Sequence, residues 1–151
     1  MRGQNIKGAL LLGVIATCAL AVAQDDSEVH KAPVCEAAFT VAARAAKNCQ
    51  FTVADNMRLP KVEGHFRATG GRENSIEVWV MDDDEFVNWS NHHQVKPLYN
   101  SEKVTQGTIE VYLKHPGKYH IVFNNMFSLM TPKAVEADIV LKFRQVPVAG
   151  N

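Results

Sequence analysis

The chain has 151 residues, with 16 Lys plus Arg against 16 Asp plus Glu, and this formal neutrality excludes a strongly basic, phosphate-tracking nucleic-acid binder. Hydrophobic residues at 46% and charged residues at 21% describe one ordinary globular domain, not a disordered chain or a multi-span membrane protein.

Arg2 and Lys7 precede an uncharged run of 16 residues, Gly8 to Ala23, that closes on Ala21-Val22-Ala23. A basic start, an apolar middle and a small-residue exit form the pattern of a secretory signal peptide over 1–23. The run is shorter than the roughly 20 apolar residues that cross a bilayer, so cleavage after Ala23 and no stable membrane span afterwards are expected. A second reading is a lipoprotein: Ile15-Ala16-Thr17-Cys18 loosely resembles a lipobox, although Thr17 fits poorly before the cysteine. Either route predicts a secreted or periplasmic protein. Losing Arg2 and Lys7 with the signal leaves 14 basic against 16 acidic residues, a mildly acidic domain.

Of the three cysteines only Cys35 and Cys49 survive that cleavage, and an even pair in an oxidising compartment is usually bonded. Two buried thiols are the alternative. If Phe39 faces Phe51 across a hairpin, the turn centres near residue 45, whereas the cysteines centre on 42. Residues 24–36 lack periodicity and are read as a flexible segment, with 146–151 as a C-terminal tail.

From residue 37 the dominant period is two, carried by β-branched and aromatic residues between Gly, Asn, Asp and Pro. Phe39 and Val41 mark a first strand, and Phe51 and Val53 a second. Val62, Gly64, Phe66 and Ala68 share one face of a third, which Gly70-Gly71 ends. Ile76, Val78 and Val80 line a fourth, with Glu77, Trp79 and Met81 on its other face. Between Met81 and Gly107 the alternation lapses; here Asp83 or Asp84 is expected to cap a short helix near 83–91 that holds Phe86, Val87 and Trp89. Ile109, Val111 and Leu113, the turn His115-Pro116-Gly117, and Tyr119, Ile121 and Phe123 read as a hairpin. A last strand turns Val135, Ala137, Ile139, Leu141 and Phe143 inward and Glu136, Asp138, Lys142 and Arg144 outward. About eight strands in one domain cannot stay open with a wet face, which predicts an all-β antiparallel β-sandwich of jelly-roll kind over 37–145.

Chemistry-bearing clusters are sparse. Asp82, Asp83 and Asp84 with Glu85 are weak calcium candidates, because four consecutive residues cannot wrap one ion and a helix N-terminus accounts for them. His92-His93, His115 and His120 have no zinc spacing and read as surface residues. No serine sits in a glycine-flanked nucleophile elbow, and no cofactor pattern is present. Trp79, Tyr112 and Trp89 are the candidate binding residues, as an aromatic platform for a sugar or a partner; the plainer reading is that each covers core. Asn88-Trp89-Ser90 matches a glycosylation acceptor.

The stretch from Gly117 through Tyr119, Phe123, Asn125, Phe127, Ser128, Pro132 and Lys133 to Val135 resembles the end of the GOLD domain of the emp24/p24 family over roughly these twenty residues. The resemblance implies a β-sandwich that binds a protein or cell-envelope partner in luminal or extracytoplasmic space, without catalysis. Its motif residues are expected to be structural: Gly117 for the turn, Tyr119 and Phe123 in the core, and Asn125 on loop backbone groups. The family places a bonded cysteine where Val122 stands, so a Cys35 to Cys49 bridge would be a different one. The leading expectation is a non-catalytic interaction module. A carbohydrate- or calcium-dependent binding domain and, last, a hydrolase of unknown type are the alternatives.

Overall fold

The structure is a computed structural model that describes residues 28–71 and 73–146. The expected signal peptide over 1–23 with Cys18, residues 24–27 of the segment read as flexible, and residues 147–151 lie outside the described residues.

Among the described residues, nine strands and one helix follow in the order β1 (Val29–Pro33), β2 (Ala38–Val41), β3 (Ala46–Val53), β4 (Met57–Thr69), β5 (Ile76–Asp82), α1 (Asp83–Ser90), β6 (Tyr99–Val104), β7 (Gln106–Tyr112), β8 (Gly117–Asn124) and β9 (Lys133–Gln145). They form two antiparallel sheets. The first runs β1-β9-β4-β7, with β2 beside β1 along the same edge of β9; the second runs β3-β8-β5-β6. Leaving β1 aside, the strands pair as β2 with β9, β3 with β8, β4 with β7 and β5 with β6, a long hairpin rolled over itself. That is the jelly-roll arrangement, and the protein is an all-β sandwich with one short helix.

Each inward row is the one that alternation picks out. Val62, Phe66 and Ala68 of β4, Ile109 and Val111 of β7, and Val135, Ala137, Ile139 and Leu141 of β9 meet Val78, Val80, Tyr119, Ile121 and Phe123 of the second sheet. Phe123 is fully enclosed, with its ring edge-on to Phe39 at 4.9 Å and to Phe66 at 6.0 Å. At Gly64 the backbones of β4 and β9 leave no room for a side chain: its φ is +153°, and a Cβ there would collide with the Asp138 carbonyl oxygen. Gly117 supplies the turn before β8 through its φ of +146°.

Strand neighbours differ from the sequence expectation in two places. Residues 106–112 and 117–124 do not form a hairpin: β7 pairs with β4, and β8 pairs with β3 and β5. Nor does Phe39 face Phe51, because β2 pairs with β9 while Phe51 stands opposite Tyr119 on β8. Both connections cross from one sheet to the other. A short Pro- and Gly-containing turn serves a crossing as well as a hairpin, and the crossing sets the two apolar rows face to face over one core.

The segment read as flexible also differs, since Val29–Pro33 forms β1 on β9 and His30 stacks on Phe143 at 5.5 Å. Cys35, just beyond it, is bonded to Cys49 of β3 with Cα atoms 5.5 Å apart, within the ordinary range for a bridge. The disulfide therefore ties the chain entering the first sheet to an edge strand of the second. β6, like β1, is a strand that alternation missed. Its register with β5 shifts, and Ser101 Oγ accepts from the Val78 amide at 2.8 Å.

Candidate functional site

The two outer faces of the sandwich have opposite characters. Over the second sheet lies α1, whose N-cap is Asp82, with its side chain accepting from the Glu85 amide at 2.9 Å. The cap is thus one residue before Asp83 and two before Asp84, the residues expected to cap. Asp83 turns instead to the sheet, where Oδ1 lies 2.9 Å from His120 Nε2 and Oδ2 lies 3.1 Å from Lys118 Nζ. The His120 hydrogen bond, then that of Lys118, holds the Asp83 carboxyl below its usual range. Glu85 accepts from the Lys96 amide, so the acids of 82–85 diverge. Among the described residues no three His, Cys, Asp or Glu side chains gather as a metal site.

His120 corrects the expectation of surface histidines: it is 2% exposed. Phe86 of α1 stacks on its ring at 3.9 Å, and Asn48 Nδ2 lies 3.0 Å from its Nδ1. With the ring proton on Nε2 donated to Asp83, Nδ1 accepts from Asn48. Met81 and Val122 are buried on this same face. Strand β8 is therefore packed on both sides, between the main core and a smaller one under α1.

That smaller core decides the fate of the aromatic platform. Trp79 is half-buried, 6.0 Å edge-on from Trp89, and Trp89 stacks in turn on Phe86. Tyr112 sits on β7, on the outer face of the other sheet, 64% exposed, with Lys61 Nζ 5.3 Å from its ring. The structure brings Trp79 and Trp89 together and leaves Tyr112 far from both in the topology. The three do not share a surface.

The motif residues near the end of the chain take structural places. Tyr119 donates its hydroxyl to the His115 carbonyl oxygen at 2.8 Å, and burial pushes its phenol up. Asn125 Nδ2 reaches the carbonyl oxygens of Val41, Ala42 and Thr131 at 3.0 to 3.3 Å, tying two loops together. Ser128 Oγ donates to the Thr131 carbonyl oxygen at 2.9 Å, next to Pro132. Phe127 lies under Lys103 Nζ at 4.4 Å, and Lys133 Nζ holds the Gly70 carbonyl oxygen.

The first sheet's outer face is open, and register fixes what it displays. Alternate residues of β9, β4 and β7 stand abreast as Glu136, Arg67 and Gln106; Asp138, His65 and Thr108; Val140, Glu63 and Glu110; and Lys142, Lys61 and Tyr112. At one end the charges satisfy each other. Lys61 Nζ contacts Glu63 at 2.6 Å and Glu110 at 2.9 Å, and Lys142 reaches Glu63 at 2.8 Å. Those bonds, Lys142 first, pull the Glu63 carboxyl down to about 2, while Glu63 foremost holds the Lys61 ammonium above its usual value.

At the other end a groove of about 810 Å3 runs over Ala38, His65, Arg67, Gln106, Thr108, Glu136 and Asp138. Among the described residues, no ion pair or side-chain hydrogen bond joins Arg67, His65, Glu136 and Asp138 to one another. These groups keep their capacity for an incoming molecule. Alternation in β9 marks Glu136 and Asp138 as outward, but only register sets them beside Arg67 and His65.

Fold and surfaces define the class: a disulfide-bonded all-β sandwich with the middle of one face covered by a helix and the other face open and polar. No family model matches the chain, and no curated protein matches it. Among the described residues no helix is long and apolar enough to cross a membrane.

Proposed function

We propose that this chain is a non-catalytic, exported interaction module that holds a protein or cell-envelope partner on the open face of its first sheet. One observation carries the reading: side by side over a broad groove, Arg67, His65, Glu136, Asp138, Gln106 and Thr108 display side-chain hydrogen-bonding groups that no other described residue engages. Polar rows of this kind supply register and specificity to a partner more than raw affinity. Export is supported by the apolar run ending at Ala23 and by the Cys35 to Cys49 disulfide, which suits an oxidising compartment. The likeness of residues 117–135 to the GOLD domain end supports a binding role, and we propose membership of that family on the same ground.

The test is capture of partners from the exported fraction by the purified domain beside its Arg67→Glu and Glu136→Lys forms. Both should lose the partner while keeping the melting temperature. Undiminished capture by both would refute the assignment of this face. A carbohydrate is the second reading, favoured by the carboxylate, guanidinium and amide groups of one row, which suit vicinal hydroxyls; retention on an insoluble neutral polysaccharide, lost in Arg67→Glu, would decide for it.

A further inference from the structure

A second concavity opens at the end of the sandwich, where the β4–β5 turn meets the β8–β9 loop, and it shares no residue with the groove. Its volume is about 200 Å3. Lys133, the first residue of β9, lines it and is only 4% exposed. Nζ donates to the Gly70 carbonyl oxygen at 2.6 Å, which uses one of three ammonium hydrogens. Among the described residues no carboxylate lies within ion-pairing distance of it. A buried cation left in this way is costly unless an anion or water completes its shell.

Ser75, 6% exposed, lines the same cavity, and among the described residues its hydroxyl oxygen, closed to solvent, has no hydrogen-bond partner. Phe127 forms an apolar wall, and Lys103 above its ring adds a second positive charge nearby. Among the described residues Glu73, exposed, is the one acid that lines the cavity.

We infer that this cavity binds a carboxylate group, with Lys133 as its charge partner and Ser75 as its hydroxyl donor. The charge count selects the class. Among the described residues the two cations at the cavity, Lys133 and Lys103, set against the carboxylate of Glu73, leave one net positive charge; this matches a monoanion, whereas a dianionic phosphate would keep half its charge unmatched. Size limits the ligand further: at about 30 Å3 for each water-sized group, the space takes a small free acid or the last residue of a peptide. Phe127 would cover the apolar part of either.

The test follows amide resonances of Gly71, Ser75 and Ser128 in the purified protein during titration with sodium acetate, an N-acetylated tripeptide acid and the same tripeptide as its C-terminal amide. Sodium chloride at equal ionic strength is the control. Saturable shifts are expected with acetate, the peptide acid or both, and none with the amide. Acetate binding as well as the peptide assigns the site to free acids; a peptide acid binding at least about ten-fold more tightly assigns it to chain ends. Lys133→Met should weaken binding by about ten-fold or more, and Ser75→Ala by about two- to ten-fold. If Lys133→Met does not fold, the acid-against-amide comparison and Ser75→Ala decide. No saturable shift, equal shifts with acid and amide, or unchanged affinity in a folded variant would overturn the proposal.

Discussion

Replacing Phe123 by Ala perturbs the point on which both sheets converge. The ring is wholly enclosed, edge-on to Phe39 and Phe66, and its strand is hydrogen-bonded on both sides, by Lys47 of β3 and Val78 of β5 at its own level. Truncation removes the transfer free energy of the ring and leaves a cavity, together about 3 to 5 kcal/mol for a buried Phe. The two aromatic contacts are part of that loss, and because neighbours anchored in two sheets can collapse little, the cost falls in the upper part of the range. A loss of about 4 to 5 kcal/mol is therefore expected, a large part of the roughly 5 to 15 kcal/mol that stabilises a domain. Urea unfolding followed by tryptophan fluorescence would measure it, with an unchanged slope showing that the unfolded state is the same. A loss under about 2 kcal/mol at unchanged slope would mean that the site relaxes freely, and the packing argued for both sheets would fail.

Trp79→Ala should cost about 2 kcal/mol, because the ring is half-buried under Trp89, and should leave partner capture intact; capture lost at unchanged melting temperature would restore Trp79 to a binding surface. Reduction of the Cys35 to Cys49 bond, which closes a separation of 14 residues, should lower stability by about 3 kcal/mol, read as a shifted urea midpoint; no shift would show that the crossing needs no staple. Glu63 has its folded carboxyl pulled down from 4.5 to about 2, so its contribution is present above pH 4.5 and fades as pH falls toward 2. Glu63→Gln should flatten the melting temperature profile across that window, and an unaltered slope would contradict the Lys61 and Lys142 pairing.

Alternation determined a great deal of this protein. It marked the inward row of β4, β5, β7 and β9 and placed Phe123 and Tyr119 in the core, and where it lapsed the capping preference of carboxylates set the acids of residues 82–85 at the start of α1. These are properties of one segment and its own period, so they can be read without knowing what lies beside it. Tertiary structure decided the neighbours. Ile109 and Ile121 stand in opposed sheets, and the turn between them carries the chain across the core, because a period of two names the buried face and leaves the hydrogen-bonded partner open. Position on the outer side of β8 buried His120 and Val122, since α1 returns over that face and a polar ring can enter once Asp83 and Asn48 satisfy its nitrogens. The candidate groove follows the same rule. Glu136, Arg67 and Gln106 come from strands far apart in sequence, and only the register of β9, β4 and β7, fixed by the burial of their inner rows, sets them abreast.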